Sequence, residues 1–195
     1  MSELSVDKIT GKTGTGGSNS PLQFSGDTVT LGTGATIGTG ATIGSGASLA
    51  NATFPAGHVI QVVSMNYSTK VDNTSATFID TGLTLAITPS STSSEILVIV
   101  SQNGVMKQTS SSLNAVGIQL LRNATVIALL ADEAGQNYAN SQQDVGSVSG
   151  TVLDSPSTTS ATTYKTQFNS ASPTANARVQ ANSSVSSLTL MEIAR

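Results

Sequence analysis

The chain of 195 residues contains no cysteine and no tryptophan, and only 10% of its residues are charged. Without cysteine it forms neither a disulfide framework nor a thiolate metal site, so its stability must come from packing and assembly. Typical soluble domains carry about 25% charged residues. The eight Lys and Arg residues are scattered and the net charge is -3, which argues against nucleic-acid binding because phosphate contact requires clustered cations.

Aromatic residues and long apolar runs are also scarce. Phe, Trp and Tyr together make up 4% of the chain, so a core must be built from Val, Ile and Leu. Such a core buries less area per residue and favours oligomerisation. No segment approaches the roughly 20 apolar residues of a membrane-spanning helix, and no secretory signal is visible. We therefore expect no membrane insertion. If the protein works outside a cell, we expect it to leave by a route other than secretion, such as lysis.

Motifs for catalysis and cofactor binding are incomplete. The Gly11-Lys-Thr triplet has Val6 where a phosphate-binding loop requires glycine. His58 is the only histidine, and its position just before the first predicted strand of the second domain suits packing or a hinge better than a Ser-His-Asp triad. Asp132-Glu133 is the only adjacent carboxylate pair, and there is no tryptophan platform for a sugar. We expect a protein that is not an enzyme and that has no cofactor and no catalytic or metal site.

The most distinctive feature present is a phrase of six residues that occurs three times, as LGTGAT, IGTGAT and IGSGAS, before a closing leucine. Because six is a multiple of the strand period of two, the four large aliphatic residues can point to one side of an extended ribbon. Four side chains cannot offset the backbone entropy of ordering a glycine-rich segment. The repeats are also too few for a parallel β-helix. The sequence therefore predicts three ribbons around one axis, the shaft of a trimer, with these residues stacked along it: Leu31, Ile37, Ile43 and Leu49.

The remaining sequence divides at changes in composition. Residues 1–20 are an arm of loop-like composition with a weak strand signal, 21–56 contain the shaft, and 57–195 form a separate domain. From residue 57 onward, short alternating segments are separated by turn clusters, which is typical of a β-sandwich or jelly roll. Residues 125–133 are the only helical competitor. The predicted strands cover residues 59–65, 76–81, 83–88, 96–102, 116–121, 125–130, 145–153, 162–168, 177–181 and 187–193.

Two predicted strands are apolar on both faces. Residues 96–100 read Ile-Leu-Val-Ile-Val, and the last strand, 188–193, reads Leu-Thr-Leu-Met-Glu-Ile. In an antiparallel sandwich one face of a strand packs on the core, so a second apolar face must meet something else. For residues 96–100 we expect that second face to lie at the threefold interface of the trimer.

Several phrases of the sequence resemble fibre proteins of tailed bacteriophages, particularly phages of marine bacteria. Besides the repeats they include Ser2-Glu-Leu-Ser-Val-Asp-Lys-Ile9, Phe24-Ser-Gly-Asp-Thr-Val-Thr-Leu-Gly32, Leu49-Ala-Asn-Ala-Thr-Phe54, Phe78-Ile-Asp-Thr-Gly-Leu83 and Leu120-Leu-Arg-Asn-Ala-Thr-Val-Ile127. The resemblance covers nearly the whole chain. It implies an all-β protein with an N-terminal virion anchor, a trimeric shaft and a C-terminal jelly-roll knob, but it does not imply a position on the particle. The apolar residues of the anchor would be Leu4, Val6 and Ile9.

Three hypotheses of function follow. The leading one is a homotrimeric virion fibre or spike that binds other virion proteins through its N-terminus and a host-surface glycan or protein through its knob. The alternative is a head fibre or capsid decoration protein that stabilises the shell or adheres weakly to surfaces. A polysaccharide depolymerase ranks below both, because the chain is short and lacks an aromatic-lined carboxylate cleft.

Ligand contact would come from long polar loops of the knob, since loops on rigid sandwiches carry recognition. The sequence predicts such loops at 102–114, 132–144 and 169–176. For any single residue, a plain solvated connection is an equally good reading. The side chains that offer hydrogen bonds or an aromatic face to a sugar are Lys107, Asn137, Tyr138, Gln142 and Gln143.

Overall fold

A computed structural model describes residues 55–108, 114–137, 144–171 and 176–195. The predicted shaft residues Leu31, Ile37, Ile43 and Leu49 and the predicted anchor residues Leu4, Val6 and Ile9 lie outside the described residues, as does almost all of the predicted 21–56 segment. The described ranges contain ten strands, one short 3-10 helix at Ala181–Ser183 and no α-helix. The strands are β1 (Val59–Tyr67), β2 (Val71–Asn73), β3 (Ile79–Ile87), β4 (Glu95–Gln108), β5 (Asn114–Arg122), β6 (Thr125–Asn137), β7 (Asp144–Asp154), β8 (Thr162–Ser170), β9 (Asn176–Val179) and β10 (Ser186–Ile193).

The strands form two antiparallel sheets that enclose the core. Sheet A has six strands in the order β1-β10-β4-β9-β2, with β7 paired to the other side of β4. Sheet B has four strands in the order β3-β8-β5-β6. The predicted all-β sandwich is therefore confirmed for this part of the chain. Residues 125–133, the helical competitor, belong to strand β6.

The strand boundaries differ from the predicted ones where a local irregularity or a short strand misleads the pattern. The two strands predicted at 76–81 and 83–88 are one strand, β3, whose register shifts between Asp80 and Thr84. Gly82 lies in this bulge with φ +88°, a conformation that other residues rarely adopt. Strand β2, three residues long, is too short for its alternation to be recognised.

Two apolar clusters fill the space between the sheets. The first includes Val98 and Leu190 from sheet A and Tyr164 from sheet B. The second includes Val105 from sheet A and Phe168 from sheet B. Both clusters are built from every second side chain along the strands, because successive side chains of a strand point to opposite faces of the sheet.

A buried polar layer lies between the two clusters along the strands. Gln102 follows Val100 of the first cluster on β4, and Thr166 stands between Tyr164 and Phe168 on β8. The hydroxyl of Thr166 donates to Oε1 of Gln102 at 3.0 Å, and Nε2 of Gln102 donates to Oγ of Ser186 on β10 at 2.9 Å. This layer joins sheet B to sheet A and fixes their relative register, because each buried polar group loses its partner if a strand slips.

Candidate interaction surfaces

The outer face of sheet A carries an apolar row that crosses four strands. Val62 on β1 pairs with Met191 on β10, Met191 pairs with Leu97 on β4, and Leu97 pairs with Leu153 on β7. Directly paired residues point to the same face of a sheet. The row faces away from the core, because the next residues along these strands pack against the first apolar cluster: Val63, Leu190, Val98 and Val152.

The apolar row is open to solvent at both ends in the single chain. Val62 is 53% exposed and Leu153 is 48% exposed, while Leu97 and Met191 between them are partly buried. Scattered exposed apolar residues are normal on protein surfaces, but four in one row across a sheet form a contiguous patch.

The two successive rows on one side of the apolar row contain no ionisable group. One row pairs Ser64, Thr189, Ile99 and Thr151, and the next pairs Asn66, Ser187, Ser101 and Ser149. Together with the apolar row they form a surface of hydroxyl, amide and aliphatic side chains that we call the neutral face. On the other side of the apolar row, the next row of the outer face pairs Ile193 with Glu95 of β4, and Glu95 forms an ion pair with Arg195.

The outer face of sheet B carries charged groups as well as the exposed apolar residues Val126 and Leu129 of β6. Asp80 on β3 forms an ion pair with Lys165 on β8 at 2.8 Å and accepts a hydrogen bond from Nε2 of Gln167 at 2.8 Å. Gln167 accepts in turn from Gln119 on β5 at 2.9 Å. Burial alone would raise the pKa of Asp80, but the hydrogen bonds from Lys165 and Gln167 lower it below its ordinary value. This face is charged and internally hydrogen-bonded, as expected of a surface in contact with water.

The predicted ligand residue Lys107 does not lie on an exposed loop, and that prediction is wrong. Strand β4 continues to Gln108, and at Lys107 it is paired with β7 on one side and β9 on the other. The Lys107 side chain is 2% exposed. The polar residues of this stretch are typical of a loop. The strand is buried because β7 and β9 flank it and the second sheet packs against it, and its local sequence does not indicate this.

The other predicted ligand residues lie at the end of strand β6 or beyond it. Strand β6 extends to Asn137, so the predicted loop at 132–144 begins later than expected. Tyr138, Gln142 and Gln143 lie outside the described residues, in the connection between β6 and β7. Their role in ligand binding stays a prediction.

Sequence reasoning found only part of the neutral face. The five apolar residues at 96–100 predict that β4 is apolar on both faces, and Leu97 and Ile99 do point away from the core. Val62 and Leu153 are not recognisable in this way, because the next outward residues of their strands, Ser64 and Thr151, are polar. Only the pairing of the strands places them in one row, and pairing cannot be read from one strand at a time.

No group of three or more His, Cys, Asp or Glu side chains suited to a metal ion occurs in the part of the chain that the structure describes. Within the same ranges, no helix has the length and apolar character needed to cross a membrane.

Comparison with known proteins gives only distant similarities. The sequence matches no protein-family model and no curated protein sequence. Among solved structures, the chain is similar to a structure of the infectious bursal disease virus Gx strain, with a TM-score of 0.33 and 10% identity over 70% of this chain and 38% of that one. It is also similar to the VP2 subviral particle of infectious bursal disease virus, with a TM-score of 0.31 and 10% identity over 69% of this chain and 37% of that one. The chain thus spans less than two fifths of the length of these viral proteins, and similarities of this size assign no function to it.

Proposed function

We propose that the chain is a subunit of a trimeric, non-enzymatic virion fibre or spike that is anchored through its N-terminus and contacts a host surface through its knob. The observation that carries this proposal is the hexad repeat, whose aliphatic residues Leu31, Ile37, Ile43 and Leu49 need faces from other copies to be buried. The resemblance of the surrounding phrases to phage fibre proteins supports the same function. The polar, low-charge composition suits a protein that works outside a cell.

The sandwich supports the proposal in one further respect. A rigid pair of sheets holds its connecting loops in fixed positions, and loops on such scaffolds commonly carry recognition. The connection between β6 and β7 contains Tyr138, Gln142 and Gln143, which offer an aromatic face and hydrogen bonds to a glycan. Weak binding at one site would be strengthened in a trimer, because three equivalent sites act together.

Adsorption to host cells tests the ligand-binding part of the proposal. A variant carrying Asn137→Ala, Tyr138→Ala and Gln142→Ala should adsorb less than the parent protein while keeping the same circular dichroism and thermal unfolding. The control carries Thr159→Ala and Ser160→Ala in the connection between β7 and β8. This connection begins at Asp154, the end of β7 opposite to the one where the ligand loop joins it. Unchanged adsorption of the first variant would place the ligand site elsewhere on the knob.

The attachment arm requires a separate experiment. Deleting residues 1–20 should leave the thermal stability of the trimer nearly unchanged, because their composition supports little core, and should abolish incorporation into particles. Incorporation of the truncated chain would show that the anchor lies elsewhere.

Imaging of labelled particles separates a tail fibre from the alternative, a head fibre or capsid decoration protein. Label on the tail together with host adsorption supports the leading function. Label on the shell, with no adsorption even by the parent protein, favours the alternative.

A further inference from the structure

We propose that the neutral face of sheet A is the surface through which the knobs of different copies pack against one another. This inference rests on the proposed trimer and adds to it the face that is buried. Its most apolar part is the row of Val62, Leu97, Leu153 and Met191 along one side of the face, which runs unbroken across β1, β10, β4 and β7.

The size of the row suits a protein contact. Neighbouring strands lie about 4.8 Å apart, so a row across four strands extends about 14 Å before the width of its side chains is added. Ile99 and Ile193 add partly buried aliphatic surface beside the row. Contiguous apolar surface of this kind on a soluble chain marks an interaction site, because leaving it in water costs free energy that association recovers.

The absence of charge on the neutral face favours another copy of the same chain as its partner. Around a threefold axis every copy presents the same face towards the axis, so a charged group close to the axis would approach its own like charge. The twelve side chains of the three rows include none that is ionisable. Hydroxyl groups both donate and accept, so the Ser and Thr rows can pair with identical rows.

The outer face of sheet B does not meet these conditions. It carries Asp80 and Lys165, and their ion pair would have to be desolvated in an interface. It nevertheless offers a matched control residue, Leu129 on β6. Leu129 is 56% exposed, close to the 53% of Val62, and it pairs with Gln119 on the polar face. Both residues also lie on strands at a sheet edge.

The cysteine-free chain allows a direct test by thiol labelling. The Val62→Cys and Leu129→Cys variants of the full chain each contain a single thiol. Their rates of reaction with a maleimide are followed by intact mass, in native buffer and in denaturant. We expect the native rate of the Val62→Cys variant to be at least about tenfold lower than that of the Leu129→Cys variant, because a covered thiol reacts only when the interface opens. The two rates should be equal in denaturant.

A second variant, Leu153→Cys, tests the opposite end of the row, and the mass of each native sample is measured by sedimentation. Slow labelling of both row variants in a trimer supports the inference. If the sample is a trimer and the row variants react as fast as the Leu129→Cys variant, the neutral face is not the contact between copies, although the trimer itself stands. A monomer overturns the trimer itself. Slow labelling in a monomer overturns the inference too, because the chain would then cover its own neutral face.

Discussion

Tyr164 on β8 of sheet B donates its hydroxyl hydrogen to Oδ2 of Asp154 on β7 of sheet A, at a distance of 2.6 Å. Asp154 also accepts from Nη1 of Arg122, at 2.8 and 3.0 Å to its two carboxylate oxygens. Burial, together with the hydrogen bond to Asp154, raises the pKa of Tyr164, so the hydroxyl stays protonated and remains a donor. The two sheets are thus linked by a charged hydrogen bond at the end of β7 that lies away from the predicted ligand loop.

Replacing Tyr164 by Phe should destabilise the knob by about 1–3 kcal/mol, the usual range for losing a hydrogen bond to a charged group. The ring stays in the core, so the change isolates the hydroxyl. Chemical denaturation of the full chain, followed by circular dichroism, measures the effect on the knob. The control is Tyr67→Phe, since among the described residues no hydrogen bond to the Tyr67 hydroxyl is found. Equal stability of the two variants would show that the hydrogen bond from Tyr164 to Asp154 does not stabilise the knob.

Glu192 on β10 is a fully buried carboxylate held by uncharged donors. It accepts hydrogen bonds from Nε2 of Gln61 at 2.6 Å and from the backbone N–H and hydroxyl of Ser90 at 2.7 and 2.6 Å. Burial alone would raise the pKa of Glu192. The hydrogen bonds from Gln61, Ser90 and Ser94 outweigh burial and lower the pKa below its ordinary value of 4.5.

This lowered pKa predicts acid-dependent stability. The contribution of ionised Glu192 is fully present above the pKa of the unfolded chain and is lost as the pH falls through the lower pKa of the folded chain. The Glu192→Gln variant should therefore be about 1–3 kcal/mol less stable than the parent at neutral pH, and the difference should shrink below about pH 4.

Unfolding free energies measured from pH 7 down to pH 3 test this prediction. The control is Glu95→Gln, which removes a carboxylate from a partly exposed ion pair with Arg195 and should change stability by less than about 1 kcal/mol. A difference between Glu192→Gln and the parent that does not vary with pH would contradict the role assigned to ionised Glu192.

Gly82 should tolerate no side chain. Its φ of +88° is strained for other residues, and an added Cβ would clash with the ring of Tyr67. The Gly82→Ala variant should lose at least about 1–2 kcal/mol, because both effects act on the same position. The matched control is Gly146→Ala on β7, where an added Cβ meets nothing within 4 Å. Thermal unfolding that is equal for both variants would contradict the bulge geometry of β3.

Much of the fold could be predicted from single-strand patterns, because alternation along a strand is a local property. The strands around Val98, Ile118 and Leu190 follow from β-branched and aliphatic residues at a period of two, bounded by turn residues. The sequence predicts two strands in place of β3, because a glycine such as Gly82 within a strand pattern usually indicates a break. The sequence predicts a loop at Lys107, because no residue near it in sequence indicates that β7 and β9 flank β4 at that point.

The candidate surface was harder to predict because it depends on register. The apolar row exists only when β1, β10, β4 and β7 are aligned, and next to Val62, Met191 and Leu153 the outer face carries the polar residues Ser64, Thr189 and Thr151. Residues 96–100 and 188–193 give the local signals, because both segments are apolar on both faces. Pairing is decided by contacts between residues far apart in the chain, so no local pattern fixes it.

The trimer is the claim on which the shaft, the neutral face and the proposed attachment function all depend. Sedimentation equilibrium of the intact 195-residue chain tests it most directly. If the chain is a trimer, it sediments as a single species with the mass of three 19.6 kDa chains. A variant with Ile37→Asp and Ile43→Asp should dissociate or misfold, because like charges would be buried near the axis. A folded parent chain that sediments with the mass of one chain would contradict the trimer.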